Sequence, residues 1–447
     1  MINLPTEAKT AIMLLNDAGF EAYAVGGIVR NSIMNLPLSD IDITTSALPH
    51  QTKEVFKDYT VVETGIEHGT VTVVLDGVPL EITTYRIEQG YSDNRHPDGV
   101  KFSTSLKDDC ARRDFTINAI CYNPLTGIAD FYGGREDIAK GVIRCVGDAD
   151  SRFKEDALRI LRAVRFASVL GFRIEPATKK AIFENKDLLK NISAERIYAE
   201  LIKLLCGKNV KNILLEYTDV LGVFMPEILP LKNFDQHNHH HIYDVLTHTA
   251  VAVESCPPVP ALRLAALLHD FGKPETFTMD AKGVGHFYGH GDVSFSIAKN
   301  ILARLKVSNE DFNLISHLVK YHDVLVEPNE KAVKRALNKH GEATLRLLLL
   351  LKRADNAGQN IALFNRKEEY DQLENVIDSV IQTSQCFSLK QLAVNGTDLM
   401  GIGIKPSAQM GKVLNTLLDM VINGEIANEK PVLLEIAGKI TKQNNVI

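Results

Sequence analysis

The chain has 447 residues, too many for one ordinary domain and enough for about three. Its 45% hydrophobic and 24% charged content is that of a water-soluble globular protein; no apolar run approaches the roughly 20 residues of a membrane span, and the first residues show no secretion-signal pattern. Six scattered cysteines without a CxxC pair argue against a disulfide framework and fit the cytoplasm, and a net charge of −6 is not that of a uniformly basic nucleic-acid binder.

The N-terminal segment reads as an amphipathic helix with Ala8, Ile12, Leu15 and Ala18 near one face. Residues 20–135 then mix short β-rich runs with helices. YAVGG, DIDITT, GTVTVVL and VPLEITTY carry β-branched residues between Gly and Pro punctuation and read as strands. Gly26-Gly27 follows the first strand and opens the helical run IVRNSIMNL, a turn that lets backbone N–H groups approach a phosphate. Arg30 lies one turn into that helix, placed for triphosphate oxygens; a plain tight turn would have the same sequence. Asp40-Ile41-Asp42 puts two carboxylates on one face of a strand, because side chains alternate with period two. Such neighbours repel unless a cation lies between them, and hard, oxygen-seeking Mg²⁺ suits that place. Glu81, in LEITTY, offers a third carboxylate on a second strand. Each acid taken alone also fits a polar, solvent-facing strand.

From about residue 141 the pattern changes to long helical periodicity. RFKEDALRILRAVRFASVL reads as a helix on which Asp156 and Arg159, spaced i,i+3, are neighbours, with Arg162 and Arg165 at the same interval. A surface ion pair explains that spacing. Base selection explains it too: cytosine and adenine both present an amino donor beside a bare ring nitrogen, so a carboxylate and a guanidinium match them, while uracil and guanine reverse both positions. Residues 141–220 carry 15 Lys/Arg against 11 Asp/Glu, a mild basic excess that a solvated helical surface also explains. SAERIYAELIKLLCG follows, starting at Ser193 and ending near Gly207. Beyond Pro226 comes a histidine-rich loop, QHNHHHIYDVLTHT, with His237, His239, His240 and His241, and helices continue to the C-terminus. The fold class is α+β: a small mixed α/β head, then an all-helical body.

Several of these segments, in order, resemble one family. GGIVRN, SDIDITTSALP, LEITTYR and ARRDFTINAI, then FYGGREDI, CVGDADSRFKEDALRILRAVRFA and ISAERIYAEL, are similar to the motifs of the polymerase β superfamily. They match its class II tRNA nucleotidyltransferase and bacterial poly(A) polymerase branch over roughly residues 20–205. The resemblance implies a two-metal reaction with Asp40 and Asp42 holding Mg²⁺ and Glu81 helping, in which an RNA 3′-hydroxyl attacks an α-phosphate. It implies that Gly26, Gly27 and Arg30 hold the triphosphate, that Arg113 contacts the nucleotide, and that Asp114 and Asn118 are placed for the ribose. It assigns base choice to Glu155-Asp156 and Arg159, with Arg162 and Arg165 continuing toward phosphates. The partners implied are the tRNA acceptor arm, CTP and ATP, with no membrane. One position departs from the family: Asn31 stands where it usually has Asp, which keeps a hydrogen bond but not a charge.

A second resemblance starts at LRLAALLHDFGKP. His248 precedes its His269-Asp270 pair and Asp355 follows, and this order, H…HD…D, is similar to that of HD metal-dependent phosphohydrolases over about residues 240–360. Two imidazoles and two carboxylates suit a divalent transition metal. His290 and His322 fall between them and are candidates for a second ion, and His241 is expected near the entrance. A degenerate, purely structural HD fold has the same sequence.

These readings divide the chain into a nucleotidyltransferase head (1–140), a helical neck (141–220), an HD domain (221–360) and a helical tail (361–447). The implied function is addition or repair of the 3′-terminal CCA of tRNA. An A-adding enzyme, a poly(A) polymerase, or HD phosphohydrolysis as the main activity are the alternatives. The polar loop IEQGYSDNRHPDGVKFST, with Asp93 and Arg95, speaks against an enzyme that adds only CC, because in the family this loop serves the switch from C to A.

Overall fold

A computed structural model describes residues 2–38, 40–66, 69–90, 99–383 and 385–444. The chain forms two compact units, residues 1–229 with 304–307, and residues 230–303 with 308–447.

The first unit opens with helix Thr6–Asp17, which buries Ala8, Ala11, Ile12 and Leu15. Ala18, expected on that face, is exposed because the helix stops at Asp17; Ala11 takes its place. The strands that follow are β1 (Ala22–Val25), β2 (Ile41–Thr45), β3 (Thr60–Gly65), β4 (Thr70–Leu75), β5 (Val78–Thr84), β6 (Arg86–Gln89), β7 (Gly99–Phe102), β8 (Cys121–Asn123) and β9 (Gly127–Ala129). Seven of them make one sheet in the order β3-β4-β5-β2-β1-β8-β9, while β6 and β7 pair separately. Alternation decides the faces: Val71, Val73, Leu75, Leu80 and Ile82 point into a core with Ala8, Ile12, Leu15, Ile28 and Ile43. The segment 91–98, with Asp93 and Arg95 between β6 and β7, lies outside the described residues.

Two relationships in this sheet position the chemistry. β2 and β5 run parallel in a register that sets Asp42 beside Glu81. β1 is followed by Gly26, whose φ of +76° is one that side-chain-bearing residues rarely adopt, and the chain turns there into helix Gly27–Ile33.

The segment RFKEDALRILRAVRFASVL is two helices rather than one. Ala149–Glu155 ends at Asp156, which is extended (φ −131°, ψ 104°), and Leu158–Leu170 begins two residues later. The side chain of Asp156 accepts a 3.1 Å bond from the Leu158 backbone N–H, the local bond by which aspartate competes with helix. Leu158–Leu170 packs against Ala194–Leu205. The body is not purely helical either: Val142–Ile143 pairs with Arg173–Ile174, and Thr278–Met279 with Gly285–His286.

In the second unit helix Pro260–Leu268 buries every residue from Ala261 to Leu268, all apolar but Arg263, which donates to the Cys256 carbonyl, as suits a helix packed on several sides. It lies against helices Val245–Ser255, Asn309–Tyr321 and Glu342–Ala357. The C-terminal helices have their own core of Leu399, Val413, Leu417, Leu418, Leu433 and Ala437. Among the described residues no helix is long and apolar enough to cross a membrane.

Candidate functional sites

A cavity of about 410 Å³ in the first unit collects residues from distant parts of the sequence. Gly26, Gly27, Arg30, Asp40, Asp42, Arg113, Asp114, Asn118, Asp156, Arg159, Arg162 and Arg165 all line it. Glu81 stands beside Asp42 on β5. Two lining residues, Arg112 and Phe166, carried no chemistry in the sequence reading.

The acids form a graded set. Asp40 is exposed just before β2, Asp42 is partly buried, and Glu81 is exposed. Burial pushes the Asp42 carboxyl up to about 6, Glu81 and Asp40 push the same way, and Arg113 opposes them. A carboxylate so disfavoured as an anion gains most from a cation. Gly26 backs this face closely, since a Cβ there would lie 3.3 Å from Asp42 Oδ2.

In the cationic wall Arg30 is held through neutral contacts. Arg30 Nη1 donates to Asn118 Oδ1 at 2.6 Å, and its Nε and Nη2 donate to Asn31 Oδ1 at 3.1 and 2.8 Å. Asn31 therefore keeps the hydrogen bond expected of it, and its amide also donates to Pro37 O. Burial, with Arg165 and Arg162 nearby, lowers the Arg30 pKa to about 10, and Asp114 opposes that. Arg30, Arg162 and Arg165 all lie over the Phe166 ring, Arg165 closest at 3.8 Å.

Asp114 is committed to its own surroundings. One oxygen accepts from the Phe115 backbone and from Asn118, the other from Arg162 at 2.6 and 2.9 Å. Burial works against its charge, yet Arg162 and Asn118 hold the carboxyl down to about 2. Its role here is to orient Asn118 and Arg162. Arg165 pairs with Glu200 at 2.6 Å.

Asp156 and Arg159 both line the cavity, but they do not pair as helix neighbours. Asp156 Oδ2 accepts from Arg196 at 2.9 Å. Arg159 donates to Glu155 at 2.5 Å and to the backbone oxygens of Arg152 and Arg112. The break at Asp156 turns the two side chains to different partners. Arg112 holds Asp109 and Glu88, so its carbonyl is a fixed acceptor for Arg159. The spacing of Asp109 to Arg112 and Arg113, three and four residues further on past the end of helix Leu106–Ala111, was the available signal for this network.

The second unit gathers His248, His269, Asp270 and Asp355, with one ligand atom from each within 4.8 Å of the others, and Asp270, His290 and His322 likewise. Four imidazoles are fixed in the same way. Nδ1 of His248, His269, His290 and His322 each meets a backbone carbonyl, of Gly358, Ala266, Phe287 and Val319, at 2.7–3.0 Å. Each Nε2 is thereby turned toward the carboxylates, the tautomer a metal ligand needs. Asp270 Oδ2 lies 3.2 and 3.1 Å from His248 and His269, and its Oδ1 lies 3.5 and 3.9 Å from His290 and His322. His290 and His322 face each other Nε2 to Nε2 at 3.1 Å, and burial, His269 and His290 lower the His322 pKa to about 3. Lys273 Nζ pairs with Asp270 Oδ2 at 2.7 Å, while the buried Nε2 atoms of His248 and His269 have no well-aligned hydrogen bond, which fits a cation drawn in between them and the carboxylates. The His241 ring lies 5.3 Å from His248; His239 and His240 lie against Phe364, and His237 against Phe277.

Comparison with known proteins is consistent across the chain. Residues 22–144 match the poly A polymerase head domain, 171–231 an RNA- and SrmB-binding site of polymerase A, and 292–437 a second domain of tRNA nucleotidyltransferases. A CCA-adding enzyme of Pediococcus pentosaceus is 37% identical over 98% of either chain. One of Ligilactobacillus salivarius is 35% identical over 99% of this chain and 98% of its own. The crystal structure of a Bacillus stearothermophilus CCA-adding enzyme in complex with CTP superposes with a TM-score of 0.73, at 28% identity and 98% coverage of both.

Proposed function

The chain belongs to the family of CCA-adding enzymes, and from that membership we propose that its head cavity adds or repairs the 3′-terminal CCA of tRNA. It uses CTP and ATP and needs no nucleic-acid template. The observation that carries this reading is the meeting in one cavity of the paired acids, the arginine wall and the Asp156 and Arg159 side chains.

Asp40 and Asp42, helped by Glu81, would hold the divalent cations, for which Mg²⁺ fits an all-oxygen donor set. Those ions, when bound, supply positive charge for the reacting phosphate and its leaving group. Arg30 and the Gly26–Gly27 turn grip the triphosphate, Arg113 adds a contact to the nucleotide, and Asn118, oriented by Asp114, faces the ribose. The RNA 3′-oxygen bonds to the α-phosphorus as the bond to the β-phosphate breaks, and pyrophosphate leaves. Asp156 accepts from the amino group of cytosine or adenine and Arg159 donates to the ring nitrogen. Uracil or guanine would leave both unmatched. Arg159 serves the base by exchanging one of its present bonds.

Purified enzyme with three tRNA substrates, ending before C74, before C75 and before A76, tests the proposal when CTP and ATP are offered separately. Extension of all three by the proper nucleotide is expected. Extension of the last alone would make it an A-adding enzyme, and unlimited A tails a poly(A) polymerase.

The four locked imidazoles favour a second reading for the second unit, a divalent transition-metal centre for phosphoester hydrolysis. His248, His269, Asp270 and Asp355 would hold one ion, and Asp270 with His290 and His322 another. Within this scheme residues 1–140 are the head, 141–220 the neck, 221–360 the metal domain and 361–447 a tail supporting the RNA, and the enzyme works in the cytoplasm.

A further inference from the structure

The histidine–aspartate cluster opens into a cavity of about 530 Å³, a size suited to a small ligand. On its wall stands Tyr288, 78% exposed, the most exposed large hydrophobic side chain among the described residues. It is not a loose side chain. Its ring stacks on His286 at 5.3 Å between centroids and 9° between planes. His286 is fixed in turn by Asp280, whose Oδ2 meets its Nε2 at 3.1 Å. Asp280 Oδ1 is held by the backbone N–H groups of Lys282 and Val284. Gly285–His286 is itself paired with Thr278–Met279. A rigid aromatic face is thus held in water, where the fold gains nothing from it, and Lys320 brings a cation to the same wall.

Resting on the reading of this cluster as a metal centre, we propose that its ligand is a nucleoside phosphate whose base stacks on Tyr288, with His286 as the backing ring. The phosphate end meets the side of the cluster that faces the cavity, where Asp270, His290, His322 and Asp355 stand. The base needs only a flat π-face, which Tyr288 offers at little conformational cost because it is already fixed. A phosphate without a base would use the cluster alone.

The chain contains no tryptophan, so Tyr288→Trp installs a single reporter that keeps the stacking surface. In the full chain with Asp40→Ala and Arg30→Ala to silence the head, this variant is loaded with Mn²⁺ and titrated with 3′-AMP and with ribose 5-phosphate. Quenching by 3′-AMP is expected, with affinity about tenfold above that of ribose phosphate, the scale of one base–aromatic stack. Calorimetry on Tyr288→Ala in the same background should bring 3′-AMP down to the affinity of ribose phosphate. Equal affinities with tyrosine or tryptophan present, or 3′-AMP binding untouched in Tyr288→Ala, would overturn the platform while leaving the metal centre standing. Mn²⁺ binding that is absent, or unchanged by His269→Ala, overturns the metal reading and the platform with it.

Discussion

Asp156 is held by Arg196, forty residues further along the chain, and not by Arg159, its neighbour three residues on. The carboxylate that would read the amino group of the incoming base is thus aimed by a second helix. Arg196→Ala, which touches no nucleotide in this scheme, should loosen base choice. Misincorporation of UTP and GTP relative to CTP and ATP is expected to rise about tenfold, the effect of one mispositioned polar partner. Competition assays on a tRNA lacking its CCA read this directly, and unchanged selectivity would show that Asp156 needs no such support. Arg159→Ala should relax selectivity further while tRNA affinity stays near wild type.

Replacing Asp40 or Asp42 by Ala should abolish incorporation, by at least about a thousandfold, because several kcal/mol of transition-state charge stabilisation goes with the metal site. Incorporation of labelled CTP measures it, with tRNA binding followed separately. Substantial incorporation by either variant would sink the assignment of the acids.

The raised pKa of Asp42 has a pH consequence whose sign is definite. The folded protein prefers the protonated carboxyl, so ionising it costs stability, and that cost grows as pH rises from the ordinary carboxylate range through about 6. In chelator, Asp42→Asn should therefore raise Tm at pH 7.5, by a stability gain on the order of 1–3 kcal/mol, and change little at pH 4. Added Mg²⁺ should raise the wild-type Tm at pH 7.5 and much less at pH 5, where the proton competes with the ion. Thermal melts at the three pH values decide this; an Asn variant less stable than wild type at pH 7.5 in chelator would contradict it.

At the second centre burial opposes charge on His269, but Asp270 and Asp355 outweigh it and push the imidazole up to about 10. The metal-free site thus holds a proton that it stabilises below the ordinary histidine range and loses as pH rises through about 10. A divalent ion must displace it, so binding at pH 7.5 should release at least about one proton per ion, visible by calorimetry in buffers of different ionisation enthalpy. Hydrolysis of a 2′,3′-cyclic phosphate should require added divalent metal and vanish in His269→Ala. Metal binding without proton release would reject this account of the resting site.

Much of the candidate site was legible because its residues sit in short patterns with local physical meaning. DID on a strand places two acids on one face, GG after a strand makes a phosphate turn, and an HD pair with flanking His and Asp suggests a metal. The helical reading of FKEDALRILRAVRF failed at one point, Asp156, because the periodicity of the apolar positions continues across a break made by a single side-chain-to-backbone bond. Phe166 drew no reading from its sequence. It lies under three guanidinium groups, which no spacing announces.

What the sequence determined by itself was the placing of Asp40 and Asp42 on one strand face and the order of the segments, while the reaction class came from the resemblance carried by several motifs in order. Partners were decided only by the tertiary structure: Asp42 beside Glu81, Arg30 on Asn118, Asp156 on Arg196, and His248 on the Gly358 carbonyl. These contacts join positions up to 110 residues apart. Their geometry comes from sheet register and helix packing, where many weak contacts sum, and no local pattern carries that sum.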